Sequence, residues 1–153
     1  MYIPLFNKSN YTLLSSLLKI SDLVDYAEKQ NISAIALTDT NMYGTMEFIK
    51  KCEEKNIKPI IGLHIILDEY SVIVYAKNYE GYKSLIKLST IQNERKVTEE
   101  ELQCFNNELI AVIPYQYKEQ FNKLTKIYDE LYLGYTNKQE ELESLLITKN
   151  VIF

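Results

Sequence analysis

The sequence has 153 residues, 46% of them hydrophobic and 25% charged, which is the composition of one folded domain rather than of a disordered chain. Its formal charge of -4 argues against a strongly basic nucleic-acid clamp, and its single histidine excludes any site that needs several imidazole groups. No apolar run is long enough to span a bilayer, and two distant cysteines without a CxxC motif are typical of a reduced, cytoplasmic protein.

An amphipathic helix is predicted near the start of the chain, with Ser21 as its N-cap because a serine oxygen can accept hydrogen bonds from the first turn. Its apolar face is predicted to consist of Leu23, Val24 and Ala27. A second helix is predicted to follow Asn41, the expected N-cap. The inward face of this second helix is predicted to consist of Met46, Ile49 and Cys52.

A shared pattern marks several helix-to-strand joints, in which a helix end is followed by asparagine, a β-branched residue and an apolar run. The asparagines are Asn31, Asn56 and Asn150. Asparagine tolerates the left-handed backbone conformation that closes a helix. The runs at 34–37 and 59–63 are continuously apolar, as in parallel strands covered by helices, so the sequence predicts repeated βαβ units.

The second half of the chain continues the alternation of strands and helices. A strand is predicted at 71–76 and a helix capped by Asn78 after it. Thr98 and Glu101 have the spacing of a capping box, which predicts the start of another helix. A further strand is predicted at 109–113.

The last part of the chain is predicted to contain a strand at 131–135 and then a polar helix. The leucines of that helix are Leu142, Leu145 and Leu146. The sequence stops on the apolar run 151–153, which resembles the start of a strand rather than the end of a domain. We therefore expect the chain to be a piece of a longer protein.

Asp39 and His64 are the side chains whose positions best suit chemistry, because each follows an apolar run predicted to be a parallel strand. The carboxyl ends of such strands carry the active residues of α/β barrels and doubly wound sheets. The alternatives remain open: Asp39 can be part of a helix cap, and a lone histidine can be an ordinary hydrogen-bonded ring. Together they provide fewer ligands than the three or four protein side chains of zinc sites.

Other features favour structure over chemistry. No glycine-rich phosphate loop is present, and neither Cys52 nor Cys104 has a histidine nearby in sequence, so both are expected to be core thiols. The carboxylates at 99–101 are best explained by the positive end of a helix, and a metal-binding role is the less favoured alternative. The 13 tyrosines are dispersed, and we interpret them as amphipathic packing residues rather than as a platform for nucleic-acid bases.

Several segments nevertheless resemble a known family. They include Ala36-Leu37-Thr38-Asp39, Ile57-Lys58-Pro59-Ile60-Ile61-Gly62, the stretch 76–89 and the opening residues 2–15. Together they resemble the N-terminal PHP (polymerase and histidinol phosphatase) domain of bacterial DNA polymerase III alpha subunits. The resemblance implies an α/β fold, a distorted TIM-like barrel with mostly parallel strands, of which residues 1–153 form the N-terminal part and whose C-terminal remainder is missing.

The resemblance also implies where a metal site stands in active relatives, which use a His-x-His-x-His pattern, a Thr-Asp-His motif and a glutamate to hold zinc or manganese. The corresponding positions here are Pro4, Phe6, Lys8, Asn10, Asp39, Thr40 and His64. Only the aspartate is retained in kind, and the last ligands of the family would lie beyond the end of this chain. We therefore predict a degenerate site with no metal and no catalytic residue.

Physical chemistry supports the same prediction. A cluster of cations needs several anionic or imidazole ligands, whereas Pro4 and Phe6 carry no ligand atom and Lys8 adds a positive charge. We expect the Lys8 ammonium to neutralise Asp39 as an ion pair. The former metal pocket would then be an ordinary polar core.

The resemblance implies a function in DNA replication, as part of a DNA-directed DNA polymerase in which this segment is inactive and structural. The implied partners are the thumb and palm of the same parent chain, and, through the parent, DNA and replisome subunits, without a membrane. The Mg²⁺ of the polymerase site would lie outside this segment. One alternative is an active phosphoesterase or 3′–5′ proofreading exonuclease using Asp39 and His64, and another is a stand-alone interaction module.

Overall fold

The computed structural model describes residues 2–152. The chain divides into two compact units, Met1–His64 and Ile65–Phe153, which are described here separately. Within the described residues, no helix has the length and apolar character needed to cross a membrane.

The first unit pairs short parallel strands with helices. Its elements are α1 (Ile20–Lys29), β1 (Ala34–Leu37), α2 (Thr45–Glu54) and β2 (Lys58–Ile66), the last ending in the second unit. Ile35 of β1 lies beside Pro59 of β2 in a parallel register. The predicted βαβ arrangement is therefore confirmed in this unit.

Both helices of the first unit contribute to one hydrophobic core. Its buried residues are Ile20, Leu23, Val24, Ala27, Ile35, Leu37, Phe48, Cys52 and Ile57. The predicted apolar face of α1 is confirmed. The predicted face of α2 is wrong at Met46, which is 67% exposed, because α2 turns Thr45, Phe48 and Cys52 inward instead.

The predicted N-caps of these helices are wrong. Helix α1 begins one residue before Ser21, at the buried Ile20, and the Ser21 hydroxyl lies 3.4 Å from Asp22 instead of capping the helix. Helix α2 follows Gly44, and the Asn41 side chain accepts a hydrogen bond from Tyr43 N in the preceding loop. Burial and loop contacts, rather than side-chain capping, set both helix starts.

The asparagine joints after α1 and α2 are confirmed. Asn31 and Asn56 have φ angles of 53° and 55°, in the left-handed region. In each joint the following amide bonds back across the last turn, Ile32 N to Ala27 O and Ile57 N to Cys52 O, both at 2.9 Å. Asn150 does not repeat this geometry, since the last helix of the chain already ends at Ile147.

Among its described residues, the second unit has one antiparallel and two parallel strand pairs. Its elements are β3 (Ser71–Ala76), α3 (Tyr79–Glu94), α4 (Glu99–Cys104), β4 (Leu109–Pro114), a 3-10 helix (Tyr115–Gln120), α5 (Phe121–Leu124), β5 (Leu131–Gly134), α6 (Lys138–Ile147) and β6 (Val151–Ile152). Strand β4 runs antiparallel to β3 and parallel to β5, which in turn is parallel to β6. The predicted α/β class with mostly parallel strands is confirmed.

The predicted caps of the second unit are confirmed. The Asn78 side chain accepts hydrogen bonds from the amides of Glu80 and Gly81, at 2.9 and 3.2 Å. Thr98 and Glu101 form the complete capping box. Cys104, however, is exposed at the last position of α4, so its assignment as a core thiol is wrong, whereas Cys52 is buried.

Candidate functional site at the end of strand β1

The opening segment of the chain lies beside β1 without forming a regular strand. Ala36 N donates to Pro4 O at 3.0 Å, and Thr38 N donates to Asn7 O at 2.8 Å. Acceptors that are three residues apart therefore face donors that are two residues apart, so the opening segment carries an extra residue, as in a β-bulge. The Asn7 amide nitrogen fills this irregularity by donating to Pro4 O and Ala36 O.

Asp39 lies just past the end of β1 and is 1% exposed. Its Oδ1 accepts hydrogen bonds from Ser9 N at 2.6 Å and from Thr12 Oγ1 at 2.7 Å. Its Oδ2 accepts one from Ser9 Oγ at 2.5 Å. Short bonds to a carboxylate are strong, so the charge of Asp39 is stabilised by neutral donors that tie residues 9–12 to the strand end.

Thr40 and Asn10 lie around this carboxylate. Thr40 N donates to Thr12 Oγ1 at 3.3 Å, so the Thr12 hydroxyl links the backbone after Asp39 to the carboxylate itself. Asn10 is exposed, and its backbone amide donates to Leu18 O. Neither residue places a charge near Asp39.

Lys8, Phe6 and His64 form a row of neighbouring side chains. Lys8 Nζ lies 5.4 Å from the centroid of the Phe6 ring, and the Phe6 ring meets that of His64 edge to face at 5.5 Å. Burial lowers the pKa of Lys8, and the negative charge of Asp39 partly offsets this change. Burial, and secondarily the charge of Lys8, lowers the pKa of His64 to about 4, so this ring is neutral at pH 7.

The predicted ion pair between Lys8 and Asp39 is wrong as a direct contact. None of the ion pairs found among residues 2–152 includes Lys8. The physical reason is that Ser9 and Thr12 already satisfy the Asp39 carboxylate, leaving Lys8 to act on it only through space.

His64 is also placed differently from the prediction. It lies within β2, which continues to Ile66, rather than at the end of the strand. Its backbone N donates to Asp39 O at 2.9 Å, so the strand pairing brings the two residues together through their backbones. In the part of the chain that the structure describes, no group of three His, Cys, Asp or Glu residues is arranged to hold a metal ion.

Ser9 and Thr12 are the site residues that sequence reasoning missed. They bond to a carboxylate 30 and 27 residues away in sequence, so no local spacing marks them. Their hydroxyls attach the segment 9–12 to the end of β1 through the Asp39 carboxylate.

The fold is similar to those of solved structures whose sequences differ widely from this one. A solved structure from Bifidobacterium adolescentis, assigned as a metal-dependent phosphoesterase, matches 95% of this chain and 82% of its own with a TM-score of 0.69 and 9% identity. The structure of an amidohydrolase from Chromobacterium violaceum, with bound sulfate and no metal, matches 95% of this chain and 81% of its own, with a TM-score of 0.63 and 8% identity. At such identities the likeness is one of fold alone.

The family model of the PHP domain matches residues 5–152, and the chain belongs to this family. Curated relatives named DNA polymerase III subunit alpha are 43% identical over 118 residues in Halalkalibacterium halodurans and 41% identical over 110 residues in Staphylococcus aureus. These alignments cover 70% and 67% of this chain but only 11% and 10% of the relatives. The chain thus spans about a tenth of their length, and the predicted family resemblance is confirmed.

Proposed function

We propose that this chain is the PHP part of a DNA polymerase III alpha subunit and that it serves DNA replication as a structural domain without hydrolytic activity. Relatives of that name, at 41 to 45% identity, support the parent protein and its role. In this proposal the segment works in the cytoplasm. Nucleotide addition, with its Mg²⁺, belongs to a part of the parent outside these residues.

The observation that carries the structural role is the state of the Asp39 carboxylate. A carboxylate offers about four lone-pair sites to its partners, and three short hydrogen bonds already engage this buried group, which leaves little capacity for a metal ion. The neighbouring Lys8 ammonium would repel a cation, and Phe6 has no ligand atom. The side chains at these positions of the family's metal site thus favour a polar core over a metal centre.

The proposed partners follow from the parent protein. The domain would pack against the thumb and palm regions of the same polypeptide, and DNA and replisome subunits would be reached through that polypeptide. Reading the gene beyond codon 153 tests this directly. A continuing frame with the paired aspartates of a polymerase palm supports the proposal, and an immediate stop codon supports a stand-alone interaction module instead.

The absence of hydrolysis is tested on the purified chain supplied with zinc or manganese. Elemental analysis after desalting should find no tightly held transition metal, and a primer with a mismatched 3′ end should release no nucleotide. Bound metal, together with release that Asp39→Ala abolishes and Asp22→Ala preserves, would identify an active exonuclease instead. Asp22 is a suitable control because its side chain lies in the first turn of α1, outside the site.

A further inference from the structure

The loop before α1, residues 9–18, presents apolar side chains to solvent. Leu13, Leu14 and Leu17 are almost fully exposed, and Leu18 is exposed as well. Single apolar side chains scattered over a surface are normal, whereas neighbouring ones that form a patch mark a site of interaction. The leucines of this loop are close together in sequence and belong to the second kind.

The same loop carries no charged side chain. Residues 9–18 include no Asp, Glu, Lys or Arg, although 25% of the chain is charged. Depletion of charged residues is the compositional mark of the buried centre of a protein interface. A phosphate-bearing ligand would find no cation within the loop. The composition therefore favours another protein segment as the occupant of this surface.

Hydrogen bonds hold the loop in a fixed shape. Asn10 N donates to Leu18 O at 2.8 Å, which joins its two ends. Ser9 and Thr12 attach it to the buried carboxylate of Asp39. A surface that is ordered before binding loses less conformational entropy when a partner covers it. The loop is therefore prepared for docking by the contacts at the end of β1.

Leu14 has a strained backbone conformation. Its φ of 63° lies in the left-handed region, which is unfavourable for a residue with a Cβ atom. Its side chain is fully exposed, so packing in the core of the first unit does not offset this cost. Backbone strain of this kind is concentrated at functional positions, where binding can make use of it.

We propose that the loop before α1 is a docking surface for the rest of the parent polypeptide, namely the part that follows residue 153. This inference rests on the proposed function and adds to it the surface through which the domain is held. The alignments cover only 11% and 10% of the curated relatives, so a parent of that length has most of its chain outside these residues.

A second copy of this chain is a poorer match for the loop, because the apolar surface is small. Three leucine side chains bury about 200–400 Å² when they are fully covered. A stable interface takes about 800 Å² from each partner. A segment of the same polypeptide needs less area, because the covalent connection keeps its effective concentration at about the millimolar level. The size of the surface therefore favours an intramolecular partner over a stable dimer.

The test compares the parent polypeptide with the separate chain of 153 residues by hydroxyl-radical footprinting, in which the oxidation rate of a side chain reports its exposure. Leu13, Leu14 and Leu17 should be oxidised readily in the separate chain. In the parent their rates should fall at least about fivefold, because the centre of an interface is packed as densely as a protein interior. Met46, an exposed side chain of α2, should keep its rate.

A double variant, Leu13→Ser with Leu17→Ser, gives an independent measurement. In the parent it should lower the first thermal transition by about 5 °C or more, because two covered leucines are lost. In the separate chain the transition should stay unchanged, since both side chains are exposed there. Met46→Ser is the matched control and should change neither protein.

The outcomes separate this inference from the proposed function. Equal leucine oxidation rates in the parent and the separate chain overturn the inference and leave the proposed function intact. A fall of equal size at Met46, or a double variant that leaves the transition of the parent unchanged, also overturns the inference. An immediate stop after codon 153 overturns both, because there is then no parent polypeptide to cover the loop.

Discussion

At the scale of single residues, Asp39 makes hydrogen bonds that a metal-binding motif would not predict. Its buried carboxylate accepts hydrogen bonds from the backbone and hydroxyl of Ser9 and from the hydroxyl of Thr12. The loop before α1 is therefore attached to the end of β1 through one charged group.

We expect Asp39→Asn to lower the free energy of unfolding by about 2–4 kcal/mol, because the new amide directs a donor at groups that themselves donate. Lys8→Met should change it by much less, since Lys8 makes no direct ion pair with Asp39. Urea denaturation measures both, with Asp22→Asn as the exposed control. Equal losses for the Lys8 and Asp39 variants would instead favour an ion pair between them.

His64 predicts how stability depends on pH. Its folded-state pKa is about 4 and its ordinary value 6.5, so between these values the unfolded chain binds a proton that the folded chain does not. The free energy of unfolding is therefore unaffected by His64 above about pH 6.5 and decreases as the pH falls from 6.5 toward 4. Allowing for partial solvation of the ring, the loss is about 2 kcal/mol.

The measurement is a series of urea melts from pH 7 to pH 4 with the wild-type chain and His64→Gln. The variant should show a flatter dependence over this range. The pKa of Glu101 is lowered to about 2 by its bonds to Arg95 and Thr98. The stability that this carboxylate contributes is therefore lost only below about pH 4.5, outside most of the range in which His64 acts. Parallel pH curves for the two proteins would show that His64 is not the responsible group.

At the scale of elements, the start of α3 is held closely against the loop before β4. Glu108 has a left-handed φ of 55°, and its carbonyl accepts a hydrogen bond from Lys77 N at 3.0 Å. A Cβ on Gly81 would lie 2.2 Å from that same carbonyl oxygen. Glycine is therefore required at this position of the helix for close approach, although it is normally a poor helix former.

We expect Gly81→Ala to destabilise the chain by about 2 kcal/mol or more, reversing the gain of about 1 kcal/mol that alanine usually gives inside a helix. Gly44→Ala in the first unit should cost less. There the new Cβ meets the side chains of Ile20 and Tyr11 at 2.7 Å, and side chains can move more easily than backbone. Urea midpoints of the two variants give the comparison, and the opposite order would contradict it.

The starts of some helices can be predicted from the sequence, and the starts of others cannot. The caps at Asn78 and Thr98 are formed by groups within three residues, so their spacing alone predicts them. Asn41 was misassigned because its side chain amide donates to Tyr11 O, 30 residues earlier, as well as accepting from Tyr43. A cap that has a distant competitor cannot be identified from local sequence.

At the scale of the whole molecule, the exposed apolar side chains of the loop before α1 are expected to promote self-association. Leu13, Leu14 and Leu17 are 82%, 108% and 96% exposed, and Leu14 also has a left-handed φ of 63°. Contiguous exposed apolar side chains promote association. No other described residue covers these side chains, so the chain by itself is expected to self-associate as its concentration rises.

We expect the double substitution Leu13→Ser and Leu17→Ser to raise the concentration at which association begins, as measured by light scattering after gel filtration. Met46→Ser, which removes an exposed apolar side chain of α2, should have little effect. Adding Leu14→Asn should also raise the melting temperature slightly, since asparagine tolerates the left-handed conformation. Association that is unchanged by the loop variant would exclude this loop as the contact surface.

Sequence alone determined the α/β class, the family, the core face of α1 and the asparagine joints at Asn31 and Asn56, because each depends on periodicity or on neighbouring residues. Tertiary structure decided what surrounds Asp39: Ser9 and Thr12 reach it from far away in sequence, and Lys8 does not pair with it. That the site holds no metal stays a prediction. Distant hydrogen-bond partners compete for a buried charge, and only folding decides which of them are within reach.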